Sequence, residues 1–157
     1  MHVRWLFSLM ATALVAPVAL AQTADPYAEL SGTYVTTLDM DDLVAQGFGI
    51  PTDLVGTWTV AIHEDGHILW RYDATTGDRS YEMSSVYVVH DGRFLVGADA
   101  GLYPCQDLYD VTAGVYTWWW QDGDLAFTAV EDACPERRII LTARPLVPVN
   151  GAGQTDE

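Results

Sequence analysis

Lysine is absent from this 157-residue sequence, and its seven basic residues are all arginines. Asp and Glu together number 22, which gives a formal net charge of −15. This charge argues against nucleic acids and anionic membranes as partners, since binding to either requires positive charge that displaces counterions from phosphate. Two explanations of the acidity remain open: a solubility or salt adaptation of the whole surface, or a specific cation or basic partner.

Catalytic motifs are also missing. Ser80, Ser84 and Ser85 lie in a predicted strand without a Gly-x-Ser-x-Gly elbow, and no Ser and His stand in a recognisable triad context. Glu131 and Asp132 are paired carboxylates, but they precede a Cys-Pro corner where a solvated turn is expected. We therefore expect neither enzymatic activity nor a cofactor.

Long apolar runs are absent apart from one at the N-terminus. Arg4 precedes an apolar run over Leu6–Leu20, and the small residues of a cleavage site stand at Ala19 and Ala21. This pattern predicts a secretory signal peptide over residues 1–21, cleaved after Ala21. The alternative is a retained membrane anchor, but the run contains Pro17 and is shorter than the roughly 20 residues that span a bilayer. We expect a periplasmic or secreted bacterial protein that does not insert into the membrane after cleavage.

Cysteine is scarce, with only Cys105 and Cys134 in the chain. An even count in an oxidising compartment predicts one disulfide between them. Closing the loop between Cys105 and Cys134 with a disulfide would stabilise the fold by roughly 3–4 kcal/mol in the chain-entropy model. A thiolate metal site would require more cysteines or nearby histidines.

Two polar clusters could suggest metal ligands, but each has a simpler interpretation. His63 and His67 flank a predicted turn, where polar residues are ordinary, and no third His is close in sequence. Asp39, Asp41 and Asp42 lack the Gly and the terminal Glu of an EF-hand, and they suit the N-terminus of a short helix. We expect no bound metal at either cluster.

Apolar residues that alternate with a period of two are abundant, and Asp-Gly turns separate them. A short helix is predicted over Met40–Gln46. The predicted fold is all-β, an eight-stranded antiparallel up-and-down barrel over residues 30–146 with a disordered acidic tail over 147–157; a β-sandwich is the alternative. The predicted strands are Gly32–Leu38, Leu54–His63, His67–Asp73, Arg79–His90, Arg93–Ala98, Val115–Gln121, Leu125–Glu131 and Arg138–Arg144.

A short sequence motif, Leu-x-Gly-Thr-aromatic, occurs at the start of two of these strands. Its two copies are Leu30-Ser-Gly-Thr-Tyr34 and Leu54-Val-Gly-Thr-Trp58. Gly56-x-Trp58 resembles the Gly-x-Trp opening of lipocalins and their calycin relatives, and the chain is similar to small secreted lipocalin-like bacterial domains. The order strand, helix, strand also resembles the fatty-acid-binding branch of the calycins. The resemblance implies a barrel that binds a small ligand, and an Arg near the chain's end, Arg138 or Arg144, that packs across the Trp.

Aromatic residues share the inward face of the predicted barrel. They form either a lined pocket or a filled core, while Trp119 points outward. We expect an exported binding module for a small apolar or amphipathic ligand; the alternative is a structural or interaction domain of the cell envelope with a packed barrel. A calycin-like isomerase or hydrolase is a minor third reading. The predicted lining residues are Tyr34, Trp58, Trp70, Tyr72, Tyr116, Trp118 and Trp120.

Overall fold

The computed structural model describes residues 25–47, 54–75, 79–101 and 113–149. The predicted signal peptide and Cys105 lie outside the described residues, so cleavage after Ala21 and the disulfide to Cys134 stay predictions. In the part of the chain that is described, no helix combines the length and the hydropathy needed to cross a bilayer.

Eight antiparallel strands form one sheet that curls into a nearly closed barrel, which confirms the predicted fold class. Seven strands follow one another as a meander, and the short eighth strand lies on the other side of the first. A bridge between Leu125 and Leu146 joins the two ends of the sheet. The strands are β1 Gly32–Leu38, β2 Gly56–Ile62, β3 His67–Ala74, β4 Ser80–His90, β5 Arg93–Gly101, β6 Gly114–Gln121, β7 Asp124–Glu131 and β8 Val147–Pro148.

Two of the tight turns between strands have the geometry that their sequence demands. Asp91 and Gly92 have φ of 49° and 69°, and Asp122 and Gly123 have φ of 54° and 94°. A two-residue hairpin loop of type I′ requires positive φ at both positions, which Asp-Gly accommodates. These turns fix β4 to β5 and β6 to β7 as direct hairpins.

The helix predicted after β1 is present as α2, Met40–Ala45. Its N-cap is Asp39, whose carboxylate accepts hydrogen bonds from the backbone amides of Asp41 and Asp42. In return Asp42 accepts from the Asp39 amide at 2.8 Å, which completes a capping box. Asp39 and Asp42 therefore cap the helix, and Asp41 lies in its first turn.

The predicted strand over Arg138–Arg144 is wrong, because this stretch lies mostly in α3, a helix over Pro135–Thr142. Pro135 occupies the first turn, where its missing amide hydrogen costs nothing. A strand would place Ile140 on the face opposite its two neighbours, yet all three residues of Ile139–Leu141 are at most 1% exposed. The helix packs this apolar run against β7.

The barrel also extends beyond both predicted boundaries. Helix α1, Pro26–Leu30, precedes β1. At the other end, Val147–Pro148 pairs with β1, and the amide of Val149 donates to the Thr33 carbonyl at 2.8 Å. The prediction of a disordered tail from residue 147 is therefore wrong for the first three residues of that tail. A two-residue strand has too little sequence pattern to be recognised.

Aromatic rings fill much of the barrel between its walls. At one end the ring centroids of Trp58, Tyr72 and Tyr81 lie 4.9 to 5.8 Å apart. In a second cluster Phe94 lies 5.0 Å from Tyr87 and 5.1 Å from Phe127. Such contacts add about 0.5–1.5 kcal/mol per pair to the burial of apolar area. The larger clustered core residues also include Tyr34, Leu38, Val60, Ile62, Ile68, Trp70, Val96 and Tyr116.

Candidate functional site

The structure places most of the predicted lining residues inside the barrel. Tyr34, Trp58, Trp70, Tyr72 and Tyr116 are at most 3% exposed. Their alternation along the strands is the one that the sequence predicts, and it identifies the inward face of each strand.

The end of β6 departs from that prediction. Trp118 is half-buried, and Trp120 is 40% exposed, so Trp120 stands at the rim, where its ring centroid lies 6.4 Å from that of Tyr34. The reason is that β5 pairs with β6 only over Gly114–Tyr116, so among the described residues no strand pairs with the rest of β6 on that side. Trp119 is 43% exposed, which confirms its outward orientation.

The polar tips of the fully buried aromatics are anchored by hydrogen bonds. Tyr34 Oη donates to the Leu30 carbonyl at 2.8 Å, and Trp58 Nε1 donates to the Leu54 carbonyl at 3.0 Å. Each bond spans four residues of the repeated Leu-x-Gly-Thr-aromatic phrase, so the sequence repeat is also a structural one. Trp70 Nε1 donates to Ser85 Oγ at 2.8 Å. These rings are held as fixed parts of the wall.

Two buried polar atoms differ from these anchored groups. Among the described residues, Thr36 Oγ1 and Trp118 Nε1 are enclosed without a hydrogen-bond partner. Thr36 is 3% exposed and lies between Tyr34 and Leu38 on the inward face of β1. Leaving a buried donor unsatisfied costs about 1–3 kcal/mol, and such a group in a native fold requires an explanation.

A buried ion pair lies where β7 leads into α3. Asp132 accepts from Arg137 Nη2 at 2.7 Å and from Arg137 Nε at 2.8 Å, and the two side chains are 0% and 2% exposed. The carboxylate also accepts from Tyr116 Oη and from the Cys134 amide. Burial and then the hydrogen bond to Asp132 raise the pKa of Tyr116. The expectation that Asp132 belongs to a solvated turn is wrong, because the helix brings Arg137 back to it.

The barrel wall is incomplete between β1 and β7. β8 pairs with β1 only at Tyr34 and Val35, and the bridge to β7 involves only Leu125. Beyond these positions the described residues provide no strand between the two, and α3 packs against β7 instead. This opening is the seam of the barrel.

A groove with a volume of about 570 Å³ follows the seam along β7. Residues of both faces of β7 line it, because the strand presents its edge there. We call it the seam groove, and its lining residues are Gln46, Phe127, Thr128, Ala129, Val130, Glu131, Asp132, Arg138 and Thr142.

The two arginines that the lipocalin resemblance offers for packing across the Trp, Arg138 and Arg144, lie at different places. Arg144 donates from Nη2 to Asp39 at 2.6 Å and from Nε to Asp42 at 2.8 Å, which ties the chain before β8 to α2. The pKa of Asp39 is lowered by the hydrogen bond from the Asp42 amide and by the bond from Arg144. The other candidate, Arg138, lines the seam groove.

The two histidines of the β2–β3 hairpin are exposed. His67 Nδ1 lies 3.1 Å from Asp65 Oδ1, and hydrogen bonds from the His67 side chain and backbone lower the pKa of Asp65. Within the residues that the structure describes, no three His, Cys, Asp or Glu side chains are grouped as metal ligands would be.

No protein-family model, curated protein or solved structure matches this chain. The lipocalin resemblance therefore stays a prediction, and the function has to be argued from the seam groove and the barrel interior. Sequence reasoning identified the interior aromatics but missed the groove, since it required α3.

Proposed function

We propose that this protein is a binding module for a small amphipathic molecule, which the seam groove holds at the edge of the barrel. The groove carries the proposal, because its volume of about 570 Å³ lies in the range of roughly 300–1,000 Å³ typical of small-molecule sites. It also lies where the barrel wall is open, so a molecule of this size can enter without displacing a strand.

The groove suits a molecule with an apolar and a polar part. On the barrel side it is lined by Phe127 and Ala129, which belong to the inward face of β7. On the helical side it is lined by polar side chains, among them Gln46 and Thr142. Most of the lining is polar, so hydrogen bonds to that side would supply much of the affinity and fix the orientation, while the smaller apolar part would hold the apolar end of the molecule.

Filling the groove should abolish ligand retention. Thr128 is exposed, lines the groove and pairs across the sheet with Thr117, which is equally exposed and outside the groove. We expect native mass spectrometry of the protein purified from its own organism to show a bound small molecule. Thr128→Trp should remove that adduct because its ring occupies the groove, whereas the matched control Thr117→Trp should keep it.

A native mass equal to that of the bare chain in the unsubstituted protein would contradict the proposal. Loss of the adduct in both Trp variants would place the ligand somewhere other than the seam groove, and it would equally overturn the assignment.

A second candidate function is an interaction domain that contacts another envelope component. It is favoured by two adjacent exposed indoles at the end of β6, Trp119 at 43% and Trp120 at 40%. Exposed aromatics are enriched at protein interfaces, where a single Trp often contributes a tenfold or larger change in affinity.

Trp119→Ala should weaken a specific partner about tenfold in a pull-down from envelope extract, since truncation of an interface Trp typically costs more than 1 kcal/mol. Its melting temperature should stay unchanged because the ring lies on the surface. Thr117→Ala, two residues earlier on the same outward face, is the control. Equal recovery of every partner by both variants would rule this role out.

A further inference from the structure

The seam groove lies against a strand edge that is paired at one position only. β7 is the last strand of the sheet, and its neighbour in the sheet is β6. On the opposite edge, the amide of Leu125 donates to the Leu146 carbonyl at 2.9 Å, and the Leu146 amide donates to the Leu125 carbonyl at 2.8 Å. Past this pair, no backbone group of the described residues bonds to that edge, which we call the free edge of β7.

The unpaired backbone groups of the free edge belong to Phe127 and Ala129. Along a strand of an antiparallel sheet, the amide and carbonyl of successive residues point alternately to the two sides. Because those of Leu125 point away from β6, those of Phe127 and Ala129 do the same. Both residues line the groove, and Phe127 is only 4% exposed, so water reaches little of it. Buried backbone groups in native folds are almost always paired, so this edge requires a partner with both donors and acceptors.

The groove lies where an added strand would lie. Its lining includes inward-facing Ala129 and outward-facing Thr128, so it runs beside the free edge in the plane of the sheet. Its opposite wall comes from α3 and from the residue that follows α2. From Phe127 to Glu131 the edge spans roughly 14 Å at about 3.4 Å per residue, which is the length of an extended peptide of about five residues.

The existing pair at the start of the free edge determines the direction of an added strand. Leu146 pairs with Leu125 in antiparallel register. A guest strand that continues this register has its C-terminal end next to Leu146, which blocks the edge there. This favours a free peptide that ends at Leu146 over an internal segment of a larger protein.

The same register determines which side chains the guest requires. The guest residues opposite Phe127 and Ala129 direct their amides toward β7 and their side chains to the inward face. Because Phe127 and Ala129 pack in the barrel core, these two positions suit apolar side chains. The guest residue between them lies beside exposed Thr128 and suits a polar one.

We infer that the ligand of the seam groove is a short extended peptide that pairs antiparallel with the free edge of β7 through Phe127 and Ala129 and carries apolar side chains at alternate positions. In strand addition, main-chain hydrogen bonds supply affinity and the alternate side chains supply specificity. A molecule with a single polar end satisfies only one of the four backbone groups. This inference rests on the proposed function and specifies the chemical class of its ligand.

An acetylated and amidated pentapeptide of alternating threonine and valine, with threonine at both ends, is the probe. In an NMR titration of ¹⁵N-labelled full chain, it should shift the amide resonances of Phe127 and Ala129. Saturation should also slow their hydrogen exchange about tenfold or more, because both amides become hydrogen-bonded. The amides of Ala126 and Thr128, which point to β6, are the internal control and should keep their exchange rates.

Two N-methylated forms of the probe separate strand pairing from nonspecific apolar binding. Methylation of both valine amides removes the donors that face β7, and it should weaken binding at least about tenfold. Methylation of the central and last threonine amides, which face away from β7, should leave the affinity unchanged. The two forms carry the same side chains and the same number of added methyl groups, so they differ only in which edge of the peptide can donate.

Three outcomes would overturn the inference: no binding of the unmodified probe, equal affinity of the two methylated forms, or a larger loss from methylation of the threonine amides. The native adduct gives an independent check, since its fragmentation should release amino-acid residues. An adduct without them overturns the inference and leaves the proposed function standing, whereas a bare native chain contradicts the proposed function itself.

Discussion

Asp132→Ala is expected to lower the free energy of unfolding by about 3–5 kcal/mol, the usual cost of removing one partner from a buried ion pair. The substitution leaves Arg137, which is 2% exposed, without the carboxylate that binds it at 2.7 and 2.8 Å. It also removes the acceptor of Tyr116 Oη and of the Cys134 amide. Urea unfolding followed by tryptophan fluorescence measures the effect as a shift in midpoint at constant slope.

Glu131→Ala provides the matched control. Glu131 precedes Asp132 in the chain and carries the same type of charge, but it is exposed. Its removal should change stability by no more than about 0.5 kcal/mol. Tyr116→Phe should lie between the two, near 1 kcal/mol, because it removes only one hydrogen bond. If Asp132→Ala and Glu131→Ala unfold at the same urea concentration, the buried pair does not stabilise the fold.

This network shows which parts of the site local sequence could not predict. Asp132 follows a strand and precedes Cys134 and Pro135, a context that by itself indicates a turn. Its burial depends on Arg137, and Arg137 reaches it only because the chain after Pro135 is helical. One wrong prediction, a strand in place of α3, therefore concealed both the ion pair and the seam groove beside it.

The strands were easier to predict because their pattern is local. Trp58, Val60 and Ile62 alternate with polar or small residues, and each is at most 2% exposed. This period of two fixes the inward face whatever the neighbouring strand is. The alternation along β6 also places Trp120 on the inward face, but Trp120 is exposed. Burial also requires a neighbouring strand, and β5 does not extend beside it. The length of a strand and its stagger relative to its neighbours depend on tertiary packing, so the alternation of apolar residues does not predict them.

The closing strand was missed for a related reason. Val147–Pro148 is two residues long and contains a proline, which is not a typical strand pattern. Its position depends on the antiparallel pairing with Tyr34 and Val35, which lie more than 100 residues earlier in the chain. Only the assembled barrel provides that partner.

Gly56→Ala is expected to lower the free energy of unfolding by about 3 kcal/mol, at the upper end of the usual cost of overpacking. A Cβ at this position would lie 2.6 Å from the Asp73 carbonyl oxygen and 2.7 Å from Cε2 of Tyr72. Neither can retreat, because Asp73 is part of the β2–β3 ladder and the Tyr72 hydroxyl is hydrogen-bonded to the Val55 carbonyl at 2.8 Å. Thermal and urea unfolding would both report the loss.

Gly97→Ala is the appropriate comparison, because Gly97 is also a buried strand glycine. A Cβ there would lie 3.3 Å from the nearest atom, in Ala113, and this exposed residue can move by a few tenths of an ångström. The lower backbone entropy of the unfolded Ala chain should offset the remaining contact, so the change should stay within about 1 kcal/mol. Equal losses for the two variants would show that Gly56 is not required for close approach. A loss confined to Gly56→Ala would instead explain physically why a Gly precedes the aromatic residue in the Gly56-x-Trp58 opening: the glycine leaves room for the neighbouring strand and for the ring of Tyr72.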